Sequence, residues 1–270
     1  MIAYERTGKG PPLVLLHPLG LDRHVWDPIV ERLRGRRELV ALDLPGFGES
    51  PPLDRTVPTP KALAAAVAGL LDSIGLARPH VAGNSLGGWV ALELGLSGAA
   101  RSVTAISPAG LWPGPLLPKP GVARNLAQRL LPIAGLAVCN PLGRRLLLSS
   151  AMAHPSRIPS HDAAALIRNY ATGAGFKAVN DAMRAGVFGG LERIRVPVTL
   201  VWPQRDRLIA RPPWLPDNTR SVVLGDAGHV PVWDAPDALS EILLAATGGE
   251  FGAGEVSQPA RAGLKSDPQG

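Results

Sequence analysis

Six short apolar runs punctuate the chain, at residues 13–17, 39–42, 80–83, 103–107, 198–202 and 221–224. Each is four or five residues long and none alternates strictly between apolar and polar side chains. That pattern predicts strands covered on both faces, as in a parallel sheet. Between the second and third runs, Thr59 and Pro60 offer an N-cap and a first-turn proline, and the alanine-rich stretch after them reaches Ile74 before Gly75 ends it. A helix is predicted there. Residues 86–96 and 236–246 read as two more helices, the second with Asp234 as its cap. Strands alternating with helices predict a layered α/β domain.

The alternation breaks at residues 113–190, where Pro and Gly interrupt leucine- and alanine-rich pieces and no strand is predicted. Strand-like sequence resumes at 196–201, so this segment reads as a helical insertion that splits the domain. The expected organisation is an α/β core formed by 1–112 and 191–247, an inserted helical cap at 113–190, and a tail at 248–270 rich in Gly, Pro, Ser and charge and expected to be disordered. No repeat period is found, and no oligomeric state is implied.

Composition narrows the function classes. With 270 residues, 46% hydrophobic and 19% charged, the chain is long and apolar enough for one globular domain plus an insertion. Cys139 is the sole cysteine, which excludes a disulfide framework and a cysteine-built zinc site. The net charge of +6 is unevenly distributed. Nine Lys or Arg against two Asp or Glu within 113–190 carry the whole excess, and the rest of the chain sums to −1. No nucleic-acid motif or set of stacking aromatics accompanies this charge, so no nucleic-acid partner is expected. The first residues lack the basic-then-apolar layout of a secretory signal, and a cytoplasmic location is expected. The longest apolar stretch, 62–71, lies between Lys61 and Asp72 and is far short of a membrane span, so no stable membrane insertion is expected.

The strongest chemical signal is residues 80–88, where a predicted strand runs into Gly83-Asn84-Ser85-Leu86-Gly87 and then a helix. A serine on so tight a turn needs small residues two positions away on either side, and Gly83 and Gly87 meet that need. The amide of Leu86 would lie at a helix N-terminus, placed to stabilise a developing oxyanion. A serine hydroxyl requires a base, and the base an acidic partner. His229 falls in the loop after the last predicted strand and Asp206 just beyond the strand before it. In a parallel sheet these loops share one edge, so Ser85, Asp206 and His229 can meet there. Of the other histidines, His80 lies on a buried strand, His24 opens a helix, and His154 and His161 fall in the insertion. Asp226 is close enough to His229 in sequence to shape the turn.

Four segments together carry a family resemblance: residues 15–20 (Leu-Leu-His-Pro-Leu-Gly), 43–50 (Asp-Leu-Pro-Gly-Phe-Gly-Glu-Ser), the serine turn, and 228–231 (Gly-His-Val-Pro). The chain resembles α/β-hydrolase-fold serine hydrolases with a helical cap domain, over about residues 2 to 247. The resemblance implies that the first segment is an oxyanion loop, with the amide of Leu19 as a second donor beside Leu86. Pro18 replaces the usual glycine, but the donor belongs to the next residue. His17 is expected to bind backbone in that loop. The glycines at 46 and 48 do not form a dinucleotide fingerprint, because Pro51 stands at its third glycine. Near the acid, Trp202-Pro203 stands where the family commonly has Trp-Gly, and the arginines at 205 and 207 are expected to favour the ionised form of Asp206. Residues 107–110 (Ser-Pro-Ala-Gly) offer no alternative carboxylate.

The implied reaction is attack by Ser85 on a carbonyl, with His229 as base, Asp206 orienting it and the Leu19 and Leu86 amides holding the oxyanion. Carboxylic-ester hydrolysis of a small molecule is the first reading. Carbon–carbon bond hydrolysis of ring-fission products is the alternative, on the strength of Asn84 before the serine and Trp233 four residues after His229. A third reading is a non-catalytic binding protein of the same fold. Asn84, Trp112 and Trp233 are candidate pocket residues. No cofactor is required, and no zinc or P-loop motif is present. The basic insertion is expected to cover the active-site edge, where its charge either steers anionic substrates, rests near an acidic membrane surface, or is simply solvated.

Overall fold

The computed structural model describes residues 1–117 and 122–248. The predicted disordered tail lies outside these residues, apart from Gly248. Seven strands form one sheet: β1 (Tyr4–Gly8), β2 (Pro12–Leu16), β3 (Glu38–Leu42), β4 (His80–Asn84), β5 (Ser102–Ile106), β6 (Val198–Pro203) and β7 (Thr219–Leu224). Their order is β1-β3-β2-β4-β5-β6-β7, and β1 alone runs antiparallel to its neighbour. All six predicted runs are strands, but the last, β7, is not covered on both faces: it lies at the sheet edge and is mostly exposed. β1 carried no signal because Tyr-Glu-Arg-Thr-Gly is mostly exposed at the sheet edge, and its register against β3, with Tyr4 opposite Leu42, is set by pairing rather than by burial.

Alternate residues of each inner strand feed two cores. Val14, Leu16, Val40 and Leu42 point to the face covered by α2 (Pro60–Ser73) and α3 (Leu86–Leu96), where they meet Leu63, Val67 and Val90. Leu13, Leu15, Leu39 and Ala41 point to the face covered by α1 (Asp27–Leu33) and α8 (Pro236–Gly248), where they meet Ile29, Leu33, Leu239 and Leu243. With both faces covered, the inner strands need no polar side, which is why their sequences are continuously apolar. On β4, His80 is buried, its Nδ1 2.7 Å from Ser102 Oγ on β5.

Between β5 and β6 the described residues form four α-helices: α4 (Val122–Cys139), α5 (Pro141–Leu148), α6 (Ser160–Thr172) and α7 (Phe176–Ala185). Residues 113–190 contain no strand among those described. Among the described residues, no helix of the chain is long and apolar enough to cross a membrane.

Helix boundaries follow local chemistry in two cases and not in a third. The Thr59 side chain accepts from the Ala62 amide at 3.1 Å, Pro60 opens α2, and Gly75 follows its end with φ +73°. Helix α3 spans the residues predicted. Asp234, however, does not cap α8, because its carboxylate accepts the amides of Gly228, Ala153 and His154 instead. Replacing the true cap, Thr59→Ala, should lower the urea-unfolding free energy by about 1 kcal/mol while leaving turnover per folded molecule unchanged.

Candidate active site

The turn from β4 into α3 places Ser85 in a strained backbone conformation, φ +56° and ψ −112°. Its amide donates to Ile106 O at 2.9 Å, and its carbonyl accepts from Trp89 at 3.1 Å and Ala109 at 3.0 Å. These bonds hold the strain locally. The flanking glycines are required by contact: a Cβ on Gly83 would come within 2.1 Å of Gly87 O, and one on Gly87 within 2.2 Å of Leu16 O. Strand, turn and helix are therefore packed backbone to backbone around the serine. Among the described residues the Leu86 amide, at the start of α3, has no acceptor, which leaves it a free donor at a helix N-terminus next to Ser85 in the chain.

The loop after β2 supplies the other side. His17 is fully buried, and both ring nitrogens are committed to backbone: Nδ1 lies 2.8 Å from Pro18 O, while Nε2 accepts the Leu44 amide at 2.9 Å. Accepting at Nε2 puts the proton on Nδ1, and burial pushes the ring below its ordinary pKa, so His17 is neutral. Its role is to shape the loop. The Leu19 amide likewise has no acceptor among the described residues. The next segment is architectural too: the buried Asp43 carboxylate takes the amides of Arg23 at 2.8 Å and Glu49 at 2.9 Å together with the Arg23 guanidinium. A Cβ on Gly48, at φ +52°, would come within 2.2 Å of that carboxylate.

On the far side of the sheet edge, Asp206 Oδ2 lies 2.8 Å from His229 Nδ1, with both side chains almost wholly buried. Asp206 Oδ1 accepts the amides of Leu208 at 2.7 Å and Ile209 at 3.0 Å. Burial alone would push this carboxyl up. The hydrogen bond and charge of His229 outweigh it, and Asp206 is held below the ordinary carboxylate value. The Ile209 amide and the Ser107 hydroxyl, which lacks a well-aligned partner of its own, add to this effect. The neighbouring arginines do not, contrary to expectation: Arg205 pairs with Asp226 at 2.9 Å and Arg207 reaches Ser149 O. With Nδ1 taken, Nε2 is the His229 nitrogen left for chemistry. Asn84, immediately before the serine, donates from Nδ2 to His229 O at 3.0 Å and to Ile106 O at 3.1 Å, which ties the serine turn to the histidine loop.

Asp234 is the residue that sequence reasoning missed. Buried among the turns after β7, it accepts Gly228 N at 2.8 Å from the histidine loop, and Ala153 N at 2.8 Å and His154 N at 2.7 Å from the segment between α5 and α6. Val230 N adds a bond to Ala151 O at 2.9 Å, and His154 Nε2 lies 2.8 Å from Asp226 Oδ2. An aspartate two residues before a helix signals a cap, and nothing in one sequence separates that role from this one. The inserted helices touch the other loops of the same edge as well. Tyr170 and Phe176 lie against Gly20, Gly175 against Gly46, and Phe188 N donates to Gly110 O at 2.9 Å.

The two candidate pocket tryptophans line different clefts. Trp112 Nε1 donates to Gly186 O at 2.8 Å, and its ring meets Trp89 edge-on. Trp112 lines a cleft with Phe188 and Trp214, whereas Trp233 lines one with Asp27, Arg157 and Asp162. Ser85 lines neither of these clefts. Among the described residues no group of three or more His, Cys, Asp or Glu side chains is arranged to hold a metal ion.

Comparison with known proteins fits this arrangement. The sequence model of the alpha/beta hydrolase family matches residues 13–242. The chain is 31% identical to the pimeloyl-[acyl-carrier protein] methyl ester esterase of Aeromonas hydrophila over 264 residues, covering 90% of this chain and 97% of that one. It is 33% identical to the epoxide hydrolase EphH of Mycobacterium tuberculosis over 199 residues, covering 64% and 87% respectively. Among solved structures, a bacterial membrane phospholipase A superposes with a TM-score of 0.72 at 27% identity, over 92% of this chain and 82% of that one. The chain is a hydrolase and belongs to the alpha/beta hydrolase family.

Proposed function

We propose that the protein hydrolyses carboxylic esters of small molecules, with Ser85 as nucleophile, His229 as general base and Asp206 as its orienting acid. The observation that carries the reading is the buried 2.8 Å contact between Asp206 and His229, which dedicates Nδ1 to the carboxylate and leaves Nε2 as the nitrogen able to act as base. In the first half of the reaction Nε2 takes the hydroxyl proton as Ser85 Oγ bonds to the carbonyl carbon. The tetrahedral oxyanion is held by the Leu19 and Leu86 amides. Collapse breaks the bond to the leaving oxygen, which receives the proton from His229. Water, activated by the same imidazole, then releases the acid and frees Ser85.

Esters are favoured because this triad and two backbone donors suffice for them, and because the relative aligned over nearly the full length of both chains is an ester hydrolase by name. The two residues that suggested carbon–carbon cleavage have other work: Asn84 is bonded to two backbone carbonyls, and Trp233 lines an outer cleft. The inserted helices, resting on the loops after β2, β3, β5 and β7, act in this reading as a cap that bounds the substrate site.

A serine-directed fluorophosphonate should label the wild type and not Ser85→Ala, and Ser85→Ala should lower ester turnover by at least about 10³-fold. A folded wild type that resists labelling overturns the assignment in favour of a binding protein. Asp206→Asn should lower kcat by up to roughly 10⁴-fold, as the wrong imidazole tautomer is then favoured. The same variant has a stability signature. Because the Asp206 carboxyl titrates lower in the folded chain than in the unfolded one, its stabilisation is present above about pH 4 and lost as the pH falls through the folded value. Urea midpoints measured against pH should therefore fall less steeply on the acid side for Asp206→Asn. Asp234→Ala, which strands the buried Gly228 amide and the part-buried amides of Ala153 and His154, should cost roughly 3 kcal/mol in unfolding free energy. Asp234→Asn, which turns an NH₂ toward at least one of them, should lie between, with kcat falling more than KM changes.

A further inference from the structure

Helices α4 and α5 leave an apolar stripe uncovered. Leu126, Ile133 and Leu136 on α4, and Leu142 and Leu146 on α5, are each between 54% and 78% exposed. On α4 the spacing 126, 129, 133, 136 keeps one narrow helix face, so Arg129 lies within the stripe, as Arg145 does between the leucines of α5. The two helices are joined by a turn that Asn140 caps, its side chain accepting the Leu142 amide at 2.7 Å. They touch closely where a Cβ on Gly143 would fall within 1.8 Å of Ala137 O.

The charge around the stripe is of one sign. No Asp or Glu occurs between Glu93 and Asp162. Arg129 and Arg145 are exposed and enter no ion pair among the described residues. Arg144 is used internally, donating to Val138 O at 2.6 Å, and Arg124 stacks over Phe176 and bonds to Gly173 O. Exposed aliphatics on two adjoining helices, interspersed with arginines that enter no described ion pair, suit an occupant that is both apolar in depth and negatively charged at its surface.

We propose that the α4–α5 stripe docks the protein peripherally on an anionic lipid bilayer, with Leu136, Leu142 and Leu146 entering the headgroup boundary and Arg129 and Arg145 meeting lipid phosphates. A second copy of the chain fits worse. A two-fold contact through this stripe would set arginine against arginine with no carboxylate in residues 94–161 to separate them. With no helix long and apolar enough to cross the bilayer among the described residues, the association is interfacial and reversible.

The test is co-flotation of the full-length protein with vesicles of phosphatidylcholine alone or with one-third phosphatidylglycerol. Salt is set at about 0.1 M and about 1 M, where the screening length falls from ~10 Å to ~3 Å. The expected result is flotation with the anionic vesicles at the lower salt, and little with neutral vesicles or at high salt. The double variant Arg129→Gln/Arg145→Gln should weaken the partition coefficient about 25-fold, taking about five-fold per arginine. Leu136→Gln/Leu146→Gln should weaken it by a similar order while salt dependence persists. Both pairs change exposed side chains, and thermal melts matching the wild type confirm that they fold. Absence of flotation with anionic vesicles, equal flotation with neutral ones, or indifference to both double variants overturns the proposal. Self-association without lipid that Leu136→Gln/Leu146→Gln abolishes assigns the stripe to a second copy and overturns it too.

Discussion

The turn between β4 and α3 exists only because residues 83 and 87 carry no side chain. Any Cβ there would penetrate the backbone of Gly87 or Leu16, so strand, turn and helix can close around Ser85 in just this sequence context. The closure forces Ser85 to a positive φ, which a serine would not adopt unaided, and the surrounding bonds from Ile106, Trp89 and Ala109 repay that strain. Everything at the carboxyl edge of the sheet is placed relative to this turn. Asn84 reaches from it to the histidine loop, and the Leu86 amide at the start of α3 has no acceptor among the described residues.

Two histidines of similar burial acquire opposite duties from their partners. His17 spends both nitrogens on backbone and is held neutral, which makes it part of the loop. His229 spends one nitrogen on a carboxylate and keeps the other. The difference lies in what the rings meet: burial and an amide donating to Nε2 keep His17 neutral, whereas a carboxylate facing Nδ1, as at His229, is a partner that can stabilise an imidazolium. Asp206 is held below the ordinary carboxylate value despite burial, chiefly by the hydrogen bond and charge of His229, with the Ser107 hydroxyl and the Ile209 amide adding to the effect.

The inserted helices are fastened to the core through the loops that define the site. Asp234 joins the histidine loop to the segment after α5, and Gly46 and Gly20 admit the turn between α6 and α7 at close range. Helices α4 and α5 pack their inner faces into the core through Ala134, Val138 and Leu148, and their other face, apolar and basic, stays turned to the surroundings. Inner contacts and outer face therefore belong to one arrangement, in which covering the sheet edge and presenting the stripe go together.

Much of this was legible in the chain itself. Runs of apolar residues without alternation marked the five buried inner strands, since a strand covered on both faces has no polar side to show, and also β7, which the fold leaves as a mostly exposed edge. Gly83 and Gly87 bracketed the serine, and Thr59-Pro60 with Gly75 marked the ends of α2, because those are local steric and hydrogen-bonding demands that a few neighbouring residues settle. Tertiary structure alone decided the rest. β1 is a polar edge strand stabilised by pairing with β3, and Asp234 passes over the nearest helix to satisfy amides about eighty positions away. The arginines beside Asp206 turn to Asp226 and Ser149, and the tryptophans at 112 and 233 settle in separate clefts. In each of these cases the partner is far off in sequence, so no local pattern can name it, and the choice among competing partners is made only when the folded backbone fixes which of them lies within reach.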